Sequence, residues 1–446
     1  MGVGWVGGGR GRRLPPIQCA TSHTQNSPQQ GLIEQLNRQV GGSACDDPLR
    51  RPPYDGAWTM VDFKSSPQIL EHLQRSLAWT VFDTKWIPGT STFLAVGAYA
   101  RGTGAFQVYD LDDKELRSVV EKEKAASIKC ATFGASSLAD PRAAVGDFEG
   151  KLAIYSAETG QSTYDVKAHG AIINAIDGAG GPMRGYGAPE IATGGRDGRV
   201  CVWDPRQRDA PVACFEPKAS AQDGASDAPA QIRDCWTVAF GHSFNDEERC
   251  VLAGYDSGDV KLFDLKMNRV RWQGHVGNGI CGVEFDRKEI NMNKFVVACL
   301  ESKFHVYDAR TQHSQEGFAS AVQTYKSTPS FVANSEMNQE KKKENESATT
   351  VWGVKHLPQN REVMMLLGGD GALNLYKYHY PDQRAKKDEN GEDVGVAGTI
   401  EHLACKSMSS QPICSFDWSP DKQGLCCMGS FDQCVRVGYV TKLNKL

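Results

Sequence analysis

One short phrase recurs seven times along the chain: a turn holding Gly and an acidic residue, a short apolar run, an aromatic residue and often Asp. It reads GDFEGKLAIYS at 146–156, GRDGRVCVWD at 195–204 and GYDSGDVKLFD at 254–264. It returns as CLESKFHVYD at 299–308, GGDGALNLYK at 368–377 and SFDQCVRVGY at 430–439, and a looser copy, GTGAFQVYD, lies at 102–110. A unit this short cannot bury its own apolar face, so successive copies must stack on one another. That requirement decides the architecture before any single residue is considered.

The aromatic position of each copy falls at Tyr109, Tyr155, Trp203, Phe263, Tyr307 and Tyr376, with Gly438 in the last. The intervals are 46, 48, 60, 44, 69 and 62 residues. Three lie near the roughly 40–45-residue period of a WD40 blade with its Trp-Asp ending, and three carry insertions. Each copy is preceded by a strand that alternates with period two, as in Trp236/Val238/Phe240, Cys281/Val283/Phe285 and Phe416/Trp418. Such alternation puts one set of side chains on one face of a sheet. Four such strands make a blade, and a closed ring of blades leaves few free edges. The expected fold is all-β, a seven-bladed WD40 propeller.

Composition narrows the function by exclusion. The chain has 446 residues, 40% of them hydrophobic and 23% charged, with a formal net charge of −4. That balance offers no basic footprint for nucleic acid. No apolar run reaches the length of a membrane-spanning helix, about 20 residues. The 14 cysteines contain no C-x-x-C pair, so a zinc site has no support. Most sit in strand contexts and read as buried free thiols of a reducing compartment. Asn345-Glu346-Ser347 matches a glycosylation acceptor, but nothing else suggests secretion.

Residues 1–64 differ from the rest. Their Gly/Arg-rich start and their Gln, Ser and Pro content cannot bury enough apolar surface to fold. They read as a disordered extension, with Met60 as an alternative start, and residues 65–446 read as the propeller. Polar insertions near 217–231, 326–349 and 382–397 are expected as solvated loops. The segment 68–75 has a helical composition, yet its register parallels 162–178, where an outer strand leads into the next inner one. It is therefore expected to be a strand that pairs with the last blade and closes the ring.

The third copy is the best formed. His169, Asp197 and Trp203 match the structural hydrogen-bond set that ties the strands of a WD40 blade together, because buried polar groups need partners. The other copies replace Trp with Tyr or Phe and mostly lack the His, so they are expected to lose that set. Gly2/Gly4/Gly7 and Gly277/Gly279/Gly282 match G-x-G-x-x-G, but neither sits between a strand and a helix as a dinucleotide site requires. No catalytic residue, cofactor site or metal site is expected. Two arginines stand out: Arg206 in WDPR and Arg310 in YDAR resemble the W-D-x-R signature of cullin-ligase substrate receptors. Either could pair with acidic groups on an adaptor or with a carboxylate of its own turn.

Longer phrases point to one family. INAIDG (173–178), RDGRVCVWDPRQ (196–207), RDCWTVAFG (233–241), EFDRKEINMNK (284–294), SKFHVYDARTQH (302–313), KHLPQNRE (355–362), FDWSPDK (416–422) and the C-terminal FDQCVRVGYVTKLNKL (431–446) are its hallmarks. From about residue 60 to the end the chain resembles the Monad family of WD-repeat dynein axonemal assembly factors. The resemblance implies a non-enzymatic cytosolic adaptor, monomeric and free of membrane and nucleic acid. Its implied partners are a co-chaperone assembly of RuvB-like ATPases and prefoldin-like subunits, with axonemal dynein chains as clients. The first 59 residues and the loops at 217–231 and 326–349 depart from the family pattern. The alternative expectation is a cullin-RING ubiquitin-ligase substrate receptor acting through Arg206 or Arg310.

Overall fold

The repeated phrase forms the third strand of seven four-stranded antiparallel sheets. The computed structural model describes residues 66–112, 114–180, 189–207, 210–217, 233–242, 249–326 and 349–446. The chain divides into Met1–Met60 and Val61–Leu446, and every described residue belongs to the second unit. The extension at 1–64 and nearly all of the insertions near 217–231 and 326–349 lie outside the described residues. The first strands of the seven blades are Thr80–Trp86, Ile128–Thr132, Ile173–Gly178, Cys235–Gly241, Ile280–Phe285, Val351–Leu357 and Ile413–Trp418. They adjoin one another around a central axis, so the molecule is the expected seven-bladed propeller.

Strand burial follows position in the blade. The second strand of blade one, Thr92–Ala98, is buried on both faces, and its sequence TFLAVGA is almost continuously apolar. The fourth strand, Leu116–Lys124, alternates buried and exposed side chains. A blade is covered on both faces by its neighbours, whereas its outer edge meets water. The apolar side chains accordingly gather into seven clusters, one at each blade junction. Between blades four and five, Phe295 is fully buried, stacks on Tyr307 at 4.8 Å and meets Phe285, Trp272 and Phe318 edge-on or tilted. Burying one such side chain stabilises by about 1.5–3 kcal/mol.

The ring closes as the register argument requires. Ile69–Ser76 pairs antiparallel with Cys434–Val440, from Ile69 opposite Val440 to Ser76 opposite Cys434. The last blade therefore takes its outer strand from the beginning of the propeller. Both terminal blades are therefore complete four-stranded sheets.

Turn chemistry explains the glycine of the phrase. The turn between second and third strands holds a residue with positive φ in every blade: Gly102, Gly150, Gly198, Gly258, Ser302, Gly371 and Gln433. Glycine adopts that conformation without the steric cost that other residues meet. At Gly371 a Cβ would also lie 2.0 Å from the Ser409 carbonyl oxygen.

Two expectations require correction. The segment 382–397 is not a plain solvated loop: Ala385–Lys387 and Asp393–Gly395 form a two-stranded hairpin. Arg384 anchors it on blade five by donating from Nε to Asp308 at 2.7 Å and from Nη1 to Asn293 at 2.8 Å. The cysteines are not all free thiols, because Cys201 and Cys214 face each other on adjacent strands of blade three and are disulfide-bonded. Their 13-residue separation carries no local sequence signal, since pairing register alone sets them opposite.

Candidate functional site

Antiparallel register gives the propeller two faces. One, here called upper, carries the turns between second and third strands; the other, lower, carries the first-to-second and third-to-fourth turns. In blade three His169 lies between Asp197 and Thr193, with Nδ1 2.8 Å from the Asp197 carboxylate and Nε2 2.8 Å from the Thr193 hydroxyl. Trp203 donates its indole N–H to the same hydroxyl at 3.0 Å. Asp197 also accepts the backbone N–H groups of Gly170 and Arg199. Burial alone would raise the Asp197 carboxyl, but these donors hold it below its ordinary value. The structure thus joins His169, Asp197 and Trp203 through Thr193, a residue that sequence reading missed. The set lies within a blade and builds structure.

The degenerate blades do not simply lose this device. In blade six Tyr325 donates its hydroxyl to Asp370 at 3.1 Å. In blade seven Asp432 accepts from Ser409 at 2.9 Å, Ser430 at 2.6 Å and Arg436 at 2.6 Å. These two blades keep the turn carboxylate but give it other partners than the His and Trp of blade three.

Inner strands are stapled across blade junctions. Asp83 accepts the N–H of Ala131 in the next blade at 2.9 Å, Asp177 that of Phe240 at 2.9 Å and Thr237 that of Val283 at 3.1 Å. Glu284 accepts from the His356 N–H at 2.6 Å, and Asp417 closes the circle by accepting from Trp86 at 2.9 Å. Of these residues, Trp86, Asp177, Glu284, His356 and Asp417 line a cavity of about 860 Å³ at the lower mouth of the channel, together with Lys85, Lys355 and Trp418. Burial pushes the Asp417 carboxyl up to about 6, against the pull of Lys85 and Lys355. Burial acts the same way on Glu284, but Lys355 and His356 outweigh it and hold that carboxyl at about 2. The buried thiols of Cys130, Cys235, Cys250 and Cys426 are pushed up to about 12 by desolvation. They stay protonated at neutral pH, which suits packing rather than nucleophilic chemistry.

The upper mouth is aromatic. Phe82 packs against Phe148 at 5.3 Å and Phe431 at 6.5 Å, and Phe431 meets Trp352 edge-on at 5.5 Å. Lys129 sits 4.9 Å over the Phe82 ring. Phe148 is 41% exposed, and the other three rings are half-buried. The belt crosses blades two, one, seven and six, joining first-strand residues to residues of the second-to-third-strand turns. Large rings held on a rigid frame with part of their surface open are the usual anchors of protein interfaces. Sequence reading missed this belt, although Phe148 and Phe431 each stand beside the acidic residue of their repeat.

The two candidate arginines have different fates. Arg206 folds back on Asp204, donating from Nη2 at 2.6 Å and from Nε at 3.0 Å. Arg310 donates only its backbone N–H to Asp308, at 3.0 Å, because the other oxygen of Asp308 accepts from Arg384.

A model of the WD domain, G-beta repeat, matches residues 160–204, the segment that holds His169, Asp197 and Trp203. A Chlamydomonas reinhardtii protein described as dynein axonemal assembly factor 10 is 56% identical over 387 residues, covering 86% of this chain and 100% of that protein. The chain belongs to the dynein axonemal assembly factor 10 family. The Homo sapiens member is 51% identical over 381 residues, covering 85% of this chain and 98% of its own length. A Dictyostelium discoideum member is 23% identical over 383 residues, covering 80% and 90%.

Proposed function

We propose that this chain is a non-enzymatic cytoplasmic scaffold for the assembly of axonemal dynein. The observation that carries the reading is the near-complete coverage of relatives described as dynein axonemal assembly factor 10. The aromatic upper mouth supports it by offering part-exposed rings of the kind that anchor protein interfaces. Rigid propellers present loops and turn residues as broad binding surfaces. In the proposed mechanism the upper belt holds a client or co-chaperone segment, and the stapled inner strands keep the rings of the belt in register. RuvB-like ATPases and prefoldin-like subunits are the proposed co-chaperone partners and dynein chains the proposed clients.

The test is affinity capture of the full chain from ciliated-cell cytosol, read by quantitative mass spectrometry, with electron microscopy of axonemes in cells lacking the protein. Dynein heavy chains together with co-chaperone subunits are expected in the capture. Outer or inner arms are expected to be reduced at unchanged dynein transcript levels. Intact arms in null cells would sink the proposal. The ligase alternative is weakened on the Arg206 side, whose guanidinium is engaged within its own turn.

A further inference from the structure

Blades three and five carry the same Asp-x-Arg spacing with opposite outcomes. Asp204 takes its own Arg206, whereas Asp308, fully buried, takes Arg384 from the inserted hairpin of blade six, Nη2 at 2.5 Å. Arg384 takes this carboxylate, and the guanidinium of Arg310 is exposed and has no ion-pair partner among the described residues. It lines a cleft of about 490 Å³ between blades four and five on the lower face. Arg271, on the outer strand Arg269–His275 of blade four, lines the same cleft, is exposed and likewise has no ion-pair partner among the described residues.

The surroundings reinforce the charge. Among the described residues, Arg249 and Lys266 also line the cleft, against one carboxylate, Asp264, with Met292 and Ala309 beside them. Arg249 is buried and bound to Glu190, so it fixes the wall. Asp264 is engaged in its own turn, accepting the Met267 N–H at 2.9 Å. A chain of net charge −4 thus concentrates cationic groups at one blade junction.

We propose that this cleft docks an acidic peptide segment of a partner protein, its anionic oxygens taken by Arg271 and Arg310. The guanidinium fork suits carboxylate and phosphate alike, so an Asp/Glu run and a phosphoserine are two sources of one chemistry. A nucleic acid fits less well. The cleft spans one blade junction, and among the described residues no Phe, Tyr or Trp lines it to stack a base. The proposal does not rest on the dynein assignment.

The test uses the full chain and fluorescence anisotropy of four labelled probes: a ten-residue Asp/Glu-rich peptide, a phosphoserine peptide, a neutral Asn/Gln analogue and a short single-stranded RNA. The expected result is salt-sensitive binding of one or both anionic peptides, at least tenfold tighter than the neutral analogue. The tighter of the two identifies the source. Arg271→Gln with Arg310→Gln is expected to lower that affinity tenfold or more, while Arg206→Gln leaves it unchanged. Both substituted side chains are exposed, and an unchanged melting temperature confirms that the fold is kept. Equal binding by the double variant, no binding of either anionic peptide by the wild type, or RNA binding as tight and as arginine-dependent as the peptide would each overturn the proposal.

Discussion

Tyr325 holds Asp370 in blade six as His169 holds Asp197 in blade three. The glycines preceding the two turns report the equivalence. A Cβ on Gly195 would strike His169 and Asp197, and one on Gly368 would strike Tyr325 and Asp370. Tyr325 is 4% exposed, and its hydroxyl also lies 3.1 Å from the Ala372 carbonyl. Burial, with Asp370 beside it, keeps that hydroxyl protonated far above the ordinary tyrosine range, so it remains a donor. Tyr325→Phe keeps the ring and leaves Asp370 without this donor. The expected loss is about 1–3 kcal/mol, read as a lower denaturation midpoint at unchanged m-value. A midpoint equal to wild type would show that the tyrosine acts by packing alone.

The two inner-strand carboxylates give opposite pH responses. Glu284 is held at about 2 in the folded chain against an ordinary value of 4.5. Its contribution is present above pH 4.5 and is lost as pH falls through 2. Asp417 is raised from 3.8 to about 6. Its protonated form favours the fold, so its contribution is present below pH 3.8 and is lost as pH rises through 6. Glu284→Gln is expected to destabilise at pH 7 by on the order of 2–3 kcal/mol and to flatten the acid limb. Asp417→Asn retains an oxygen for the Trp86 N–H and should remove the loss of stability between pH 4 and 6. Urea denaturation at half-unit pH steps checks both. A pH profile for Asp417→Asn that follows wild type through this window would refute its assignment.

Gln433 occupies a left-handed turn position that five other blades give to glycine, at φ 62. Its side chain is exposed and its turn bonds are backbone ones, including N–H to the Ser430 carbonyl at 3.2 Å. Gln433→Gly relieves a steric cost of about 1–2 kcal/mol and loses up to about 1 kcal/mol through added chain entropy. The expected net change is zero to about 2 kcal/mol of stabilisation. Gly150→Ala is expected to go the other way, since its Cβ would fall 2.3 Å from the Ala171 carbonyl oxygen. Paired melting curves decide it, and destabilisation by Gln433→Gly would mean that the glutamine side chain contributes more than its turn geometry.

Blade count, ring closure and the His169–Asp197–Trp203 association were legible because each is written in short-range spacing. The period counts blades, and the parallel between 68–75 and 162–178 places the closing strand. What was not legible depends on residues far apart in sequence. Thr193 lacks any motif signature until the blade sets it against His169. Arg384 reaches Asp308 across 76 residues, so the hairpin read as a polar loop. Phe82, Phe148, Phe431 and Trp352 become one surface only after the ring closes, since Phe82 and Phe431 stand at opposite ends of the propeller sequence. Cys201 and Cys214 likewise meet through register alone.

The aromatic belt separates binding from stability. Phe148 is 41% exposed at a turn tip, so Phe148→Ala should change stability by no more than about 0.5 kcal/mol. Phe431 links Phe82 to Trp352, and its removal breaks both contacts. If the upper mouth is the scaffold's principal interface, each substitution should lower recovery of co-captured proteins severalfold. An anchor ring is worth about 2 kcal/mol or more. Capture with wild type and both variants at matched expression, with melting curves alongside, measures the two effects separately. Recovery unchanged in both variants, with folding intact, would move the principal interface to the lower face, where Arg271 and Arg310 line their cleft.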